Sequence, residues 1–412
     1  MSRVADPWAH TWALDRNLDI GSDSADVETY TSPAVYTAEC EKIFRRSWLL
    51  LGRESEIPTP GDFVKRTIYP LSSEVIIARG KDGEVRAFHN VCLHRGARLV
   101  REESGKTNLF VCPYHAWSYD TEGQCRAITG PDFFPQLECR SVRLSSVHIS
   151  LWNGFFFVNM DPEPAETLGE FLGHLGDLYG DFPFHEYGNC LEMVQDINTN
   201  WKCFLEAFLE GYHATFVHKK TGPMFLTPEN PLNVFYDGRL LNRHSSFLVQ
   251  SNPDWKPVRE VAKFAYATAG VSVVGDSGSQ ESAAAHQAFM NHRGINPQGI
   301  PRFGARLVTI FPMTQFTILT NRYQIQQFWP LDHQRTRFVL RVYTPSAPVS
   351  YREEFFQHQL MALARDLLTE DVAMTELQYQ GLKSGGIKKI YFGTNEIGIR
   401  HSHRAIQECL RD

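Results

Sequence analysis

The stretch CLHRGARLVREESGKTNLFVCPYH, from Cys92 to His115, decides how the rest of the chain is interpreted. It places Cys92 and His94 in one short segment and Cys112 and His115 in a second, so each segment offers one thiolate and one imidazole. Zinc sites with two cysteines and two histidines usually group the thiolates in one segment and the imidazoles in the other. The mixed pairs suit a [2Fe–2S] cluster, in which one iron binds both thiolates and the other binds both imidazoles. A zinc-stapled binding module is the alternative.

The overall composition limits the classes of protein to consider. A chain of 412 residues exceeds the size of one ordinary core, so we expect two domains. The net charge of −6 and the lack of a long basic run argue against nucleic acid as a partner. We expect no membrane span, because no apolar run approaches about 18 residues, and no signal peptide. The 8 cysteines are scattered rather than arranged as a secreted disulfide framework, so we expect a cytoplasmic protein.

The order of predicted elements indicates class α+β. Short strand-like runs, separated by turn residues, predict a small all-β domain between residues 61 and 161. Beyond it the sequence predicts a helical segment at 201–218, a flexible loop at 273–286, a hairpin at 323–345 and a long amphipathic helix at 351–382. A sheet with helices packed on one side accommodates this second half.

A second set of metal-binding residue types lies in the helical segment. Glu210 and His213 are three residues apart and would share one face of a helix. His213 and His218 are five apart, which is about 140° around an ideal helix, so the helix must end or distort if both are to bind one ion. Incidental histidines on an exposed helix are the alternative at this point.

Both sets of residues resemble one known family. The segments CLHRG and CPYHAW resemble the Rieske centre of the non-haem iron oxygenases, the large subunits of ring-hydroxylating oxygenases. Respiratory Rieske proteins add a cysteine to each loop, and this chain does not, so the resemblance implies the oxygenase type. The family also carries N-W-K, then an acidic residue and H-x₄-H. These match 200–202, Glu210, His213 and His218, and the resemblance implies that the two histidines bind a mononuclear iron.

The carboxylate that completes the iron site is expected on the long helix. Two histidines and one carboxylate leave positions open on iron for dioxygen and substrate. Asp371 falls on the apolar stripe that runs from Phe356 to Met374, whereas Glu376 falls on the opposite side. A bare carboxylate on such a stripe needs a cation, and Asp371 also matches an E-D segment of the family. Glu370 is the alternative ligand, and a helix broken at Thr369, with Asp371 as a cap residue, is the competing interpretation.

The resemblance gives Glu210 a separate role. In the family, the acidic residue before the first iron histidine bridges a Rieske histidine of one subunit and an iron histidine of the next, here His115 and His213. A carboxylate suits this bridge because it accepts hydrogen bonds from both rings. Most members have Asp at this position, and Glu occurs in members that oxidise quaternary ammonium compounds, though not only in them. Ala207 stands where many members have Asn.

The resemblance implies an α+β protein in three parts. These are a helical segment at 1–44 packing on the catalytic domain, an all-β Rieske [2Fe–2S] domain at 45–165, and a helix-grip catalytic domain with a curved antiparallel sheet at 166–412. It further implies a homotrimer, which brings the centres of neighbouring subunits together, with or without a small β subunit. No G-x-G-x-x-G motif follows a predicted strand, so we expect NAD(P)H to act indirectly, through a separate reductase and an optional ferredoxin.

The implied function is that of a terminal oxygenase, with a [2Fe–2S] cluster, Fe²⁺ and dioxygen as co-substrate. We expect a monooxygenase or dioxygenase that hydroxylates an aromatic or bulky hydrophobic compound, as in aromatic hydrocarbon catabolism. Demethylation or hydroxylation of a quaternary ammonium compound is the alternative, and an electron-transfer Rieske protein without oxygenase activity is more remote. Candidates for an apolar pocket are Phe204, Phe208, Phe216, Met224, Phe225 and Phe247, and candidates for a buried cation are Lys219, Arg239 and Arg243.

Overall fold

A computed structural model of the chain describes residues 20, 23–252, 254–267 and 280–411. The chain divides into two compact units, residues 40–171 and a second unit formed by 1–39 with 172–412. The domain limits expected from the sequence, at 45 and 165, stay predictions. None of the described helices combines the length and the apolar character that crossing a bilayer requires.

The strands in chain order are β1 (Ser24–Asp26), β2 (Leu49–Arg53), β3 (Asp62–Ile68), β4 (Ser73–Arg79), β5 (Val85–His89), β6 (Ser104–Lys106), β7 (Leu109–Val111), β8 (Ser118–Asp120), β9 (Cys125–Ala127), β10 (Ser146–Trp152), β11 (Phe155–Asn159), β12 (Asn189–Ile197), β13 (Tyr236–Leu241), β14 (His244–Gln250), β15 (Phe303–Ile310), β16 (Thr314–Leu319), β17 (Arg322–Asp332), β18 (Arg335–Thr344) and β19 (Lys389–Tyr391).

The α-helices are α1 (Glu28–Thr31), α2 (Pro33–Glu39), α3 (Leu168–Tyr179), α4 (Trp201–Glu206), α5 (Ala214–Val217), α6 (Glu260–Ala267), α7 (Gln280–Asn291), α8 (Tyr351–Lys383) and α9 (Ile397–Arg411).

The unit 40–171 is built from antiparallel strands, as predicted. Seven strands form one sheet in the order β2-β11-β10-β5-β4-β3-β6, and β7-β8-β9 form a second, smaller sheet. The strands are rich in β-branched and aromatic residues, and turns at Gly83, Gly123 and Asn153–Gly154 separate them. Cys92 and Cys112 lie in a core of buried apolar side chains that also includes Phe88, Trp117 and Tyr119.

The second unit is a seven-stranded antiparallel sheet in the order β12-β18-β17-β16-β15-β14-β13, accompanied by helices. The predicted hairpin is confirmed: β17 and β18 pair from Tyr323–Tyr343 to Asp332–Arg335, with the turn at 333–334. Side chains alternate across each strand, so one face of the sheet is available to line a site. The class α+β expected from the sequence is therefore observed.

A buried ion pair fixes the start of α4, the helix that leads to the expected iron residues. Lys202 and Glu39 are 2% and 0% exposed, and the Lys202 Nζ contacts the Glu39 carboxylate. The Trp201 Nε1 donates to Glu39 Oε2 at 3.0 Å, and the Asn200 side chain caps the helix by accepting from the Lys202 N–H. Removal of either charge would leave the other buried without a counter-ion, so the ion pair holds the start of α4 in one place against Glu39. The residues 200–202 that resemble the family's N-W-K therefore have a structural role here.

Two predictions about the second unit need correction, and a third, the long helix at 351–382, is confirmed against its alternative. The helix at 201–218 is interrupted at residues 207–213, and within this interruption Gly211 lies so close to Asn233 that a Cβ would be 2.1 Å from the Asn233 carbonyl oxygen. Residues 280–286 belong to α7, where an alanine-rich run favours a helix over the predicted loop, and 273–279 lie outside the described residues. The long helix α8 is continuous through Thr369, so the broken-helix interpretation is wrong.

Candidate active site

The two segments that hold the Cys and His pairs fold into closely similar loops. In the first loop the Cys92 N–H donates to the Ala97 carbonyl at 2.8 Å, and the Gly96 N–H donates to the Cys92 carbonyl at 2.9 Å. The second loop repeats this pattern between Cys112 and Trp117 and between Ala116 and Cys112, at 2.8 and 2.9 Å. The fifth residue of each loop has positive φ, 74° at Gly96 and 57° at Ala116. The same backbone conformation therefore presents one Cys and one His side chain from each loop.

The four side chains from these loops converge. His94 Nδ1 and His115 Nδ1 are 3.0 Å apart, and Cys92 and Cys112 are both nearly fully buried. Burial raises the pKa of the Cys92 thiol, and its neighbour Cys112 adds to this effect, so the thiolates need a cation to stabilise them. Two imidazole nitrogens facing one point and two adjacent buried thiols fit a [2Fe–2S] cluster held by all four residues.

Aromatic groups fix the surroundings of this set. Trp117 stacks on His94 with the ring centroids 4.9 Å apart and an interplanar angle of 9°, and Phe134 contacts the same imidazole edge-to-face at 5.5 Å. Tyr114 stacks on His115 at 3.8 Å. The Tyr119 hydroxyl lies 3.5 Å from Cys92 Sγ and accepts from the Leu93 N–H at 3.2 Å. A thiolate that binds a cluster carries no proton, so the Tyr119 hydroxyl would be the donor in the contact with Cys92 Sγ.

The two histidines of the second unit lie at the two ends of α5. His213 precedes this one-turn helix and His218 follows it, with the His218 N–H donating to Ala214 O at 3.0 Å. The two histidines are thus the N-cap and C-cap residues of a single helical turn, and His218, with φ −93° and ψ 32°, already leaves the helical conformation. This end of the helix accommodates the five-residue spacing. The His213 and His218 Nε2 atoms lie 3.2 Å apart.

Asp371 on α8 completes the group. Its Oδ1 lies 3.0 Å from His218 Nε2 and 3.5 Å from His213 Nε2, and all three ligand atoms lie within 4.8 Å of one another. Asp371 is 4% exposed, yet Oδ1 has no partner with hydrogen-bond geometry among the described residues. The prediction of which side of α8 is buried is only partly confirmed, since Phe356 and Leu363 are buried but Met374 is 44% exposed.

Each histidine of this group is oriented by a second carboxylate. Glu210 Oε1 lies 2.5 Å from His213 Nδ1, and its Oε2 accepts from the His213 N–H at 3.1 Å. Glu370 Oε2 lies 3.0 Å from His218 Nδ1 and also accepts from the Thr221 hydroxyl. These contacts engage both Nδ1 atoms, so both Nε2 atoms remain directed toward Asp371. Glu370, the alternative ligand in the sequence analysis, lies behind His218 rather than within the three-residue group.

The electrostatics of this group fit a divalent cation. Glu210, Glu370 and Asp371 surround two imidazoles, and no Lys or Arg in the described part of the chain forms an ion pair with any of the three. Burial lowers the pKa of His218, but Asp371 and Glu370 outweigh burial and raise it overall. The raised pKa means that positive charge is favoured at this point. Two imidazole nitrogens and a buried carboxylate oxygen that has no hydrogen-bond partner form a ligand set that suits ferrous iron.

A cavity of about 1460 Å³ opens onto the three-residue group. Phe208, Leu363 and Val249 contribute apolar surface, while Gln315, Thr317 and Gln326 extend from the sheet. Of the candidates for an apolar pocket, Phe208, Met224 and Phe225 line the cavity, and Phe204, Phe216 and Phe247 are absent from its lining. None of the candidate cations Lys219, Arg239 and Arg243 is part of this lining, and Arg239 is paired with Asp237.

Comparison with known families matches both units. Residues 47–138 match the family described as the Rieske [2Fe-2S] domain. Residues 184–412 match the family described as the ring hydroxylating alpha subunit (catalytic domain).

Two curated relatives represent different chemistry. The glycine betaine monooxygenase oxygenase subunit of Chromohalobacter salexigens is 32% identical over 222 residues, which cover 53% of this chain and 48% of that protein. The biphenyl 2,3-dioxygenase subunit alpha of Rhodococcus jostii is 36% identical over 204 residues, which cover 48% of this chain and 44% of that protein. The chain spans about half the length of the curated relatives it matches.

Solved structures agree over nearly the whole chain. A quaternary ammonium Rieske monooxygenase in complex with an inhibitor superposes with a TM-score of 0.73 at 21% identity, covering 97% of this chain and 99% of the other. Naphthalene 1,2-dioxygenase from Rhodococcus sp. bound to indole gives a TM-score of 0.72 at 20% identity, covering 96% of each chain. These similarities confirm the predicted fold, an N-terminal Rieske domain followed by an α+β catalytic domain.

Proposed function

Since the chain belongs to the family of ring-hydroxylating oxygenase alpha subunits, whose catalytic domain it matches over more than half of its length, we propose that it is a terminal oxygenase. The reaction consumes one dioxygen molecule, two electrons and two protons. It yields either a cis-diol or a hydroxylated product and water. The observation that carries the proposal is the meeting of His213, His218 and Asp371 at one large cavity.

The proposal assigns the two sets of residues as follows. Cys92, His94, Cys112 and His115 hold a [2Fe–2S] cluster, and His213, His218 and Asp371 hold Fe²⁺. Bound there, the cluster supplies single electrons and the ferrous ion binds and activates dioxygen. The protein groups around them orient the ligands and exclude water from the buried side of the site.

Glu210 acts as a positioning residue between the two kinds of centre. Its contact with His213 supplies one half of the bridge that the family resemblance implies, and the other half would be His115 of a neighbouring subunit. A carboxylate between two imidazole N–H groups holds both rings and keeps their protons on the side away from the metals. This role requires a homotrimer. A small β subunit is compatible with it but is not required by the site.

Electrons come from outside the chain. The proposal names a separate NAD(P)H-dependent reductase, with or without a ferredoxin, as the partner that reduces the cluster. It also places the protein in the reducing cytoplasm, since buried thiolates that bind a cluster must stay free of disulfides. A small organic compound is the third partner.

An aromatic or bulky hydrophobic compound is the favoured substrate class. Apolar side chains such as Phe208, Val249 and Leu363 line the cavity next to the iron residues, and the cavity is large enough for a multi-ring compound. The alternative is demethylation or hydroxylation of a quaternary ammonium compound, supported by Glu at position 210 and by the glycine betaine monooxygenase relative. Such a compound would require aromatic rings arranged around its cationic group.

Metal analysis and substrate assays test the proposal together. Purified protein should contain three irons per chain, two in the cluster and one at His213, His218 and Asp371. With a reconstituted reductase, it should consume dioxygen when given biphenyl and form a hydroxylated product. Product from glycine betaine but not from biphenyl would favour the alternative. Two irons per chain and no dioxygen uptake would indicate an electron-transfer protein, and a colourless zinc protein would exclude both.

A further inference from the structure

One polar side chain in the wall of the cavity has an unused hydrogen-bonding atom. Gln315, on β16, is 1% exposed, and its Oε1 has no hydrogen-bond partner among the described residues. Buried amide oxygens are normally satisfied, so an unsatisfied one at a binding cavity needs an explanation. Gln315 lines the same cavity as His213 and Asp371.

The orientation of the Gln315 amide follows from its partners. Its Nε2 donates to the Phe208 carbonyl oxygen at 2.8 Å and lies 3.4 Å from the Thr309 hydroxyl. A backbone carbonyl only accepts hydrogen bonds, so the amide must present its NH₂ group there, which leaves Oε1 as the remaining acceptor. The contact with Phe208 also ties Gln315 to the segment that continues to Glu210 and His213.

Neighbouring polar groups on the sheet satisfy one another and so differ from Gln315. The Thr317 hydroxyl donates to Gln326 Oε1 at 3.1 Å, and Gln326 Nε2 lies 3.4 Å from Gln324 Oε1. Gln326 is the cross-strand partner of Gln315 in the β16–β17 register. These four side chains all line the cavity and none carries a formal charge. The acceptor left over is therefore neutral, and its neighbours Thr317, Gln324 and Gln326 on the same two strands are neutral as well. The nearest strand residue with a charge in the cavity lining is Arg322, at the other end of the β16–β17 pairing.

We propose that Gln315 Oε1 is a substrate-binding subsite for an uncharged hydrogen-bond donor, a hydroxyl or N–H group attached to the apolar body of the substrate. This inference rests on the proposed oxygenase function and narrows its substrate class. Aromatic compounds that carry an N–H or O–H group satisfy both the apolar surface and the acceptor. A bare hydrocarbon leaves the acceptor buried and unpaired, and a quaternary ammonium nitrogen has no N–H to offer.

Three probes of nearly equal size and shape test the subsite. Indole carries an N–H donor, benzofuran has an oxygen acceptor in its place, and indene has neither. Their dissociation constants are measured by calorimetry on the iron-loaded full-length protein without dioxygen, so that no turnover occurs. We expect indole to bind roughly tenfold more tightly than the other two, the ratio that one hydrogen bond between neutral groups gives.

Two variants assign the preference to Gln315. Gln315→Met keeps the length of the side chain but removes the acceptor, and should bind the three probes equally. Gln287→Met is the matched control, because Gln287 also lines the cavity but its Nε2 donates to Asn291 Oδ1 at 2.9 Å. This variant should retain the preference for indole.

The outcomes separate this inference from the proposed function. Equal binding of the three probes to the wild-type protein, or no binding of any of them, overturns the subsite whether or not Gln315→Met folds. Dioxygen uptake with an aromatic substrate in that case would leave the oxygenase function standing. An indole preference in a protein that never consumes dioxygen would support the subsite and contradict the oxygenase. Loss of the preference in Gln287→Met would also overturn the assignment.

Discussion

Replacing Glu210 by Gln should slow turnover while leaving both metal sites loaded. The Glu210 carboxylate makes two contacts with His213, at 2.5 Å to Nδ1 and 3.1 Å to the backbone N–H. A Gln side chain offers one oxygen, so one contact is lost or becomes a contact between two donors. The remaining hydrogen bond changes from charged to neutral, a loss of about 1–2 kcal/mol. That difference corresponds to a roughly 5- to 30-fold lower turnover rate from the weaker orientation of His213 alone.

Glu370→Gln is the internal control for this substitution. Glu370 contacts His218 Nδ1 at 3.0 Å, so its replacement weakens the orientation of the other histidine in a similar way. If Glu210 also bridges to a neighbouring subunit, the loss in Glu210→Gln should exceed the loss in Glu370→Gln at equal iron content. Iron is measured by elemental analysis, and turnover by dioxygen consumption. Electron transfer is followed as the rate at which the pre-reduced cluster reoxidises after dioxygen is added.

Three results would refute the reasoning. Equal rates of cluster reoxidation in Glu210→Gln and the wild-type protein would remove the bridging role. Equal losses in the two variants would mean that Glu210 acts only on the orientation of His213. A Glu210→Gln protein that contains two irons per chain would show instead that this carboxylate is needed to retain the mononuclear iron.

The contacts at the two candidate metal sites lead to four further predictions. Asp371→Asn should lower the iron content from three to two per chain. Glu376→Gln on the same helix should not, because the remaining side-chain oxygen can still accept from the Asn198 N–H. A full complement of iron in Asp371→Asn would contradict the ligand assignment. Without iron, the raised pKa of His218 lets protons compete with the metal, so iron affinity should fall as the pH drops through that pKa, beginning above 6.5. By the same linkage the iron-free protein is stabilised at low pH and loses this stabilisation as the pH rises through the folded-state pKa; melting temperatures that do not vary with pH would argue against it. Tyr119→Phe should lower the reduction potential of the cluster by roughly 40 mV, because the hydrogen bond to Cys92 Sγ stabilises the reduced cluster by about 1 kcal/mol. An unchanged potential in a redox titration would show that the hydroxyl does not act on Cys92.

Local patterns made the fold and the four cluster residues accessible from the sequence. The Cys and His pairs lie within loops closed by their own backbone hydrogen bonds, so their spacing predicts a metal site, and the family resemblance favours a [2Fe–2S] cluster over zinc. The hairpin of β17 and β18 is similarly local, as its strands are adjacent in the chain. The break before His213 was not accessible from the local pattern, which is helical throughout. Gly211 in this break packs against Asn233, a contact between segments that the sequence does not reveal.

Contacts between distant parts of the chain explain what the sequence analysis missed. Glu370 orients His218 across 152 residues, and no local pattern distinguishes that role from the role of a ligand. Gln315 meets Phe208 across 107 residues, and its unused acceptor is visible only once every partner is known. The buried side of α8 turns toward Leu368, Thr375 and Tyr379 as the helix proceeds, which leaves Met374 exposed even though Asp371 is buried.

The alternation of side chains along β16 gives a practical route to changing which compounds the cavity accepts. Positions 315, 317 and 319 contribute to the cavity, while Phe316 and Ile318 are buried, with Phe316 packed 5.5 Å from the ring of Phe184. A combinatorial library confined to the three odd-numbered positions would therefore vary substrate choice while sparing the aromatic packing behind the strand. No metal-binding residue lies on β16, so library members that keep a donor to the Phe208 carbonyl oxygen at position 315 should load iron alike and differ in the compounds they accept.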